Sequence, residues 1–235
     1  MGAITYYVIA GLVFLFSYAV KHKLSSTYKR WSQVQNATNQ PGGKIARMIL
    51  DANQLQSVPV DAVPGKLTDH YDPRSKQISL ARENFIEPSV AAMAVAAHEC
   101  GHALQDADDY RPMELRSTLM PIANAGARFG MPIAIAGSVI GLPILMQIGI
   151  LAYVGSILLT FLTLPVEFNA SKRALAQLEA LDLVSADGLK GTRQVLRAAA
   201  MTYVAGVASS ASYVVYLAIM YGGRFIGKTK LPPKL

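Results

Sequence analysis

The chain of 235 residues is 52% hydrophobic and only 16% charged, with a net charge of +7 and a mean hydropathy of +0.30. Soluble domains carry about 25% charged residues, so the deficit points to a membrane, and the length fits a small domain with a few membrane helices. The single cysteine, Cys100, excludes an intramolecular disulfide and fits a reducing compartment.

No Asp, Glu, Lys or Arg occurs in 1–20, 129–166 or 198–223. A bilayer crossing takes roughly 20 apolar residues, so 3–20 fits one span, 129–166 two and 198–223 one. The start, "MGAITYY", lacks a basic leader region, and residues 1–20 read as a retained N-terminal transmembrane anchor. A polar helix follows, "QPGG" at 40–43 breaks it, and "KIARMILDANQL" forms a short amphipathic helix on Ile45, Met48 and Ile49. Residues 57–63 alternate as a strand does. Residues 65–81 read as a β-hairpin with Asp72-Pro73-Arg74-Ser75 at its turn, because Asp and Pro suit the first two positions of a type I turn. A helix then starts near Pro88 and Ser89 and runs to about Asp106. The block 121–165 is expected to be a transmembrane helical hairpin turning near 143–149. Pro165 suits the first turn of the next helix, "SADG" at 185–188 closes a loop, and a last helix starts near Gly191. The expected organisation is an anchor (1–20), a catalytic region (21–120), the hairpin (121–165), a helix over 166–197, a transmembrane or re-entrant helix over 198–223, and a basic tail (224–235).

The helix over 89–106 contains His98-Glu99-Cys100-Gly101-His102. Residues four apart lie on one helical face, so the two imidazoles are placed to share one Zn²⁺. Glu99 lies about 100° round the helix. It is too close to His98 to be a natural ligand and well placed to reach a water on the metal as general base. Cys100 points away and reads as a packed thiol. Gly101 leaves room for another group to approach the helix.

Catalytic zinc needs three protein ligands and an open position. Asp106, Asp108 and Asp109 follow the motif, but no third histidine does. His22 sits at a membrane boundary, and His70 on the hairpin is a secondary candidate for the site. Glu167 is the better third ligand. If 121–165 crosses the membrane and returns, Glu167 arrives on the side where His98 and His102 began; a single span would strand it. The competing role for Glu167 is an acid at a helix N-terminus, favoured by the macrodipole.

Taken together, "LTDHYDPRSKQISL", "AVAAHECGHALQDA" and "TLPVEFNASKRAL" resemble the bacterial neutral zinc metallopeptidases, a family of membrane proteins. The likeness runs over most of the chain. The order of spans and zinc motif is also similar to the heat-shock membrane proteases and the prenyl-protein proteases of the gluzincin class. The resemblance implies an α-helical integral membrane protein with a small α+β zincin-like catalytic domain. It implies one Zn²⁺ per chain on His98, His102 and a glutamate, with Glu99 as base. In the gluzincin pattern an Asp four residues after the ligand Glu orients a ligand histidine. Ser171 stands there in this chain, lacking the charge, and Asn169 is placed to share the task. Zincins bind substrate as an added strand, which makes 66–81 the candidate sheet. Tyr203 and Tyr71 are the candidate oxyanion donors.

The expected function is therefore a membrane-embedded zinc metalloendopeptidase acting on peptides or proteins, membrane proteins among them. Two alternatives stand beside it. One is an intramembrane-cleaving (site-2-type) protease with Asp187 as third ligand; the other is a non-catalytic, zinc-stabilised membrane scaffold. Lys21, Lys23, Lys29 and Arg30 place the end of the first span in the cytoplasm by the positive-inside rule, and the catalytic site with it. The protein is then a multi-pass cell-membrane protein whose partners are peptide substrate and the lipid bilayer. The basic residues flank apolar segments without interleaved aromatics, which argues against nucleic acid.

Overall fold

The computed structural model describes residues 2–226. Eight helices and three short strands follow one another as α1 (Gly2–Trp31), α2 (Gly42–Ala52), β1 (Val60–Val63), β2 (His70–Asp72), β3 (Gln77–Ala81), α3 (Arg82–Ile86), α4 (Val90–Ala107), α5 (Arg111–Val139), α6 (Pro143–Thr160), α7 (Thr163–Ala180) and α8 (Ala186–Ile226). The tail from 227 onward lies outside the described residues.

The hairpin expected at 65–81 is present: β2 pairs antiparallel with β3, Tyr71 opposite Ile78. Asp72 accepts the Arg74 amide and the Ser75 hydroxyl, which closes the turn. β1 adds to the other edge of β3 in parallel, so the order is β1-β3-β2. Among the described residues, no strand pairs with the outer edge of β2. β1 has only four residues, too few to reveal which neighbour it pairs with.

The core lies between α2, β3, α4, α7 and the start of α8. Ile45, Ile49, Ile78, Leu80, Met93 and Leu178 are completely buried in it. α4 is the central element. Its run of alanines is buried almost all round, which suits a helix packed on every side.

Three boundaries differ from the expectation. The helical hairpin turns at 140–142, ahead of 143–149. Gly141 takes the left-handed φ of +72° there, and Pro143 is pre-set for the first turn of α6. α5 begins at Arg111, with Pro121 and Pro132 inside it. "SADG" is the capped start of α8 and no loop, because the Ser185 hydroxyl accepts the Gly188 amide at 3.2 Å. The helix therefore starts at Ala186, ahead of Gly191.

Two segments, Tyr7–Trp31 and Pro143–Ala180, are long and apolar enough to cross a bilayer among the described residues. Three crossings and a last helix that either spans or re-enters were expected, and α5 and α8 do not meet that measure. Even so, α8 runs antiparallel along α1. Trp31 Nε1 donates to Gln194 Oε1 at 3.1 Å, and the Ser17 and Ser209 hydroxyls meet at 3.2 Å.

Candidate metal centre

α4 starts where Ser89 caps it, its hydroxyl accepting the Ala92 amide at 3.1 Å. Two and a half turns on, His98 and His102 stand on one face, their rings 4.8 Å apart and nearly perpendicular. Gly101 lies against α7. A methyl group on it would overlap the Ala170 carbonyl, lying 2.9 Å from its carbon. The bare glycine thus lets α7 approach closely enough to present Glu167 to the imidazoles.

Glu167 Oε2 lies 3.2 Å from His98 Nε2 and 3.6 Å from His102 Nε2. The ligand atoms of the three residues all lie within 4.8 Å of one another. Donors about 2.05 Å from a tetrahedral zinc are spaced about 3.3 Å apart, so this set fits the ion. Glu167 is 1% exposed. Its other oxygen, Oε1, has no hydrogen-bond partner, and Arg116 Nη1 offsets its charge from 3.2 Å. A buried carboxylate so arranged, with Oε2 turned toward two imidazoles, could serve as a ligand to a metal ion.

The outer ring nitrogens are held as well. His98 Nδ1 lies 3.3 Å from the Ser171 hydroxyl. His102 Nδ1 lies 3.0 Å from Gln105 Oε1. Gln105 donates its amide N–H groups to the Val166 carbonyl at 2.8 Å and to Asn169 Oδ1 at 3.0 Å. Asn169 Oδ1 also accepts from Arg173 Nε at 2.8 Å, and Arg173 pairs in turn with Asp108. A backbone carbonyl only accepts, so it fixes which end of the Gln105 amide points inward. Gln105 Oε1 then faces His102, Nδ1 carries the proton, and the lone pair is left on Nε2, toward Glu167. Replacing Gln105 with leucine is expected to weaken zinc binding about 10- to 100-fold. Competition with a chelator measures this, and unchanged affinity would exclude the assignment.

Glu99 is buried beside His98, and burial pushes its carboxyl up to about 7 against the opposing field of His98. Glu99, His98, His102 and Glu167 line one cavity of about 690 Å³. Tyr203 lines it too, within electrostatic reach of Glu167. Tyr71 reaches its wall, but its hydroxyl is committed to Asp106 at 2.6 Å. His70 borders the cavity with Nδ1 tied to the Thr68 carbonyl at 2.8 Å. Asp187 is exposed at the start of α8 and outside the cavity lining. Asp106 and Asp108 serve ion pairs with Lys76 and Arg173. Cys100 is buried, its thiol directed to the Ala46 carbonyl at 3.5 Å, and burial pushes it far above the usual thiol range. It is a packing group.

Arg116 and Gln105 were not anticipated. Arg116 sits on a stretch of α5 that reads as a polar approach to the hairpin, with nothing local to tie it to Glu167. Gln105 did carry a signal: it lies three residues after His102, hence on the same helical side.

The family model described as "Putative neutral zinc metallopeptidase" matches residues 6–222. The chain is 35% identical over 189 residues to the "Putative membrane protease YugP" of Bacillus subtilis (strain 168), covering 80% of this chain and 84% of that protein. No solved structure matches it. With the match extending from the first apolar helix through His98, His102 and Glu167 to the last helix, the chain belongs to the neutral zinc metallopeptidase family.

Proposed function

We propose that this protein is a membrane-embedded zinc endopeptidase. One observation carries the reading: two imidazoles and a buried carboxylate converge within 4.8 Å, and Glu99 shares their cavity without being one of them. His98, His102 and Glu167 would hold the zinc. When bound, zinc polarises the scissile carbonyl and lowers the pKa of water. Glu99 takes the proton of the attacking water and passes it to the leaving amine. The outer edge of β2, which borders the cavity at His70 and Tyr71, receives the peptide as an added strand.

Tyr203 is the better oxyanion donor, since the Tyr71 hydroxyl is already spent on Asp106. Changing Tyr203 to phenylalanine is expected to lower kcat about 100-fold, the loss typical of one oxyanion donor, with zinc content unchanged. The exposed position of Asp187 leaves the site-2-type arrangement without its third ligand. A scaffold would have no use for a base beside its metal.

For the membrane, we propose a multi-pass arrangement with the site on the cytoplasmic side, supported by the basic residues that follow the first apolar segment. The antiparallel pairing of α8 with α1 supports a full crossing by α8 wherever α1 crosses. Cleavage of a fluorogenic peptide mixture by the purified, zinc-loaded protein tests the central reading. Activity should disappear with a zinc chelator and return with added zinc; chelator-resistant cleavage would point to other chemistry.

A further inference from the structure

The cavity has two different walls. One is polar: Asp69, His98, Glu99, His102 and Glu167. On the other, α1, α5 and α8 contribute an apolar share, with Leu24, Met120, Pro121, Leu196, Ala199 and Ala200, beside the polar Arg116, Ser117, Asn124, Thr202 and Tyr203 of α5 and α8. The apolar residues of α1 and α8 share a feature of position. Leu24 follows Lys21 and Lys23, where the first apolar segment ends. Ala199 and Ala200 follow Arg197, where the charge-free stretch 198–223 begins. Met120 and Pro121 precede Arg128, beyond which α5 carries no charge. On α1 and α8 the lining residues therefore stand within a few residues of the point where charge gives way to an apolar stretch, while on α5 Met120 and Pro121 lie about two turns before Arg128. Such a change from charged to apolar on a membrane helix marks the boundary between hydrocarbon and headgroups.

We infer that the cavity takes the juxtamembrane segment of a membrane-anchored polypeptide, cleaving it within a few residues of the bilayer surface. The inference rests on the zinc-endopeptidase reading and names the substrate class of that same site. The apolar share of that wall is continuous with the metal centre within one cavity. A chain leaving the bilayer lays its last apolar residues on that wall and extends its first polar residues along β2 to the metal. An extended chain advances about 3.3 Å per residue, so a long soluble spacer has no role in reaching the site. A free hydrophilic peptide gains nothing from the apolar share and leaves it wetted.

The test uses the full-length, zinc-loaded protein in liposomes. Three substrates carry one mixed-sequence peptide segment: directly after a transmembrane anchor, after that anchor and a 30-residue Gly/Ser spacer, or free in solution. Cleavage of the directly anchored form is expected to be at least tenfold faster than either other form. Equal rates for all three would overturn the inference and leave the peptidase reading standing; no cleavage of any would overturn both. A second measurement does not use activity. A fluorophore on Met120→Cys, in the metal-free protein, is expected to be quenched by lipids bearing a nitroxide near the headgroup. An anchored, uncleavable peptide should relieve that quenching. Quenching by aqueous iodide alone would place the wall away from the bilayer and overturn the inference. Quenching by lipid that the anchored peptide leaves untouched would give the wall to an acyl chain and overturn it equally.

Discussion

Glu99→Gln is expected to abolish peptide hydrolysis, with kcat down by at least about 1,000-fold, while the protein keeps its zinc and its fold. General acid–base catalysis by a positioned side chain contributes about 10²- to 10⁴-fold, and glutamine cannot accept the proton. Zinc is retained because Glu99 lies outside the cluster of His98, His102 and Glu167. Stability should hold too. Burial already disfavours the charged carboxylate at this position, and a neutral amide of the same shape avoids that cost. Single-turnover kinetics beside metal analysis of the same sample would separate the two effects. Residual activity above about a tenth of wild type would remove Glu99 from the role of base.

Gly101→Ala should damage the metal centre, though it removes no ligand. Alanine is favoured over glycine inside a helix by about 1 kcal/mol, so on an open face the change would stabilise. Here the added methyl would overlap the Ala170 carbonyl. Overpacking of this kind costs about 1–3 kcal/mol, occasionally more, and backbone offers no rotamer by which to yield. Either α4 and α7 part, taking Glu167 away from the imidazoles, or the fold loosens. Zinc affinity should fall at least tenfold, with a lowered unfolding midpoint. Gly155→Ala is the matched control, since a methyl there meets nothing within 4 Å, and it should leave both quantities unchanged. If Gly101→Ala bound zinc like the wild type, the close approach of α4 and α7 would not be what places Glu167.

What could be read from the chain and what could not follow from the range of each interaction. His98, Glu99 and His102 were legible because a helix repeats within four residues. The β2–β3 turn was legible because Asp72 and Pro73 act on their own backbone. Glu167 came from a different kind of reasoning: an even number of crossings would return the chain to the histidines. The start of α8 was misjudged because Ser185 was read as a turn residue, although the same hydroxyl serves as a helix cap. Arg116 and the outward path from His102 through Gln105 and Asn169 to Arg173 depend on side chains meeting across α4, α5 and α7. No local pattern specifies such contacts. Asn169 illustrates the limit: it was expected to share with Ser171 the orienting of a ligand histidine, but it reaches His102 only by way of Gln105.

Metal content decides the central claim most directly. Purified wild type, equilibrated with limiting zinc against a competing chelator, should hold one zinc per chain. Glu167→Ala should lose zinc under the same conditions, with affinity lowered at least 100-fold, as His98→Ala does. A Glu167→Ala protein that is folded and binds zinc as tightly as the wild type would contradict the account, because the third ligand would then lie elsewhere.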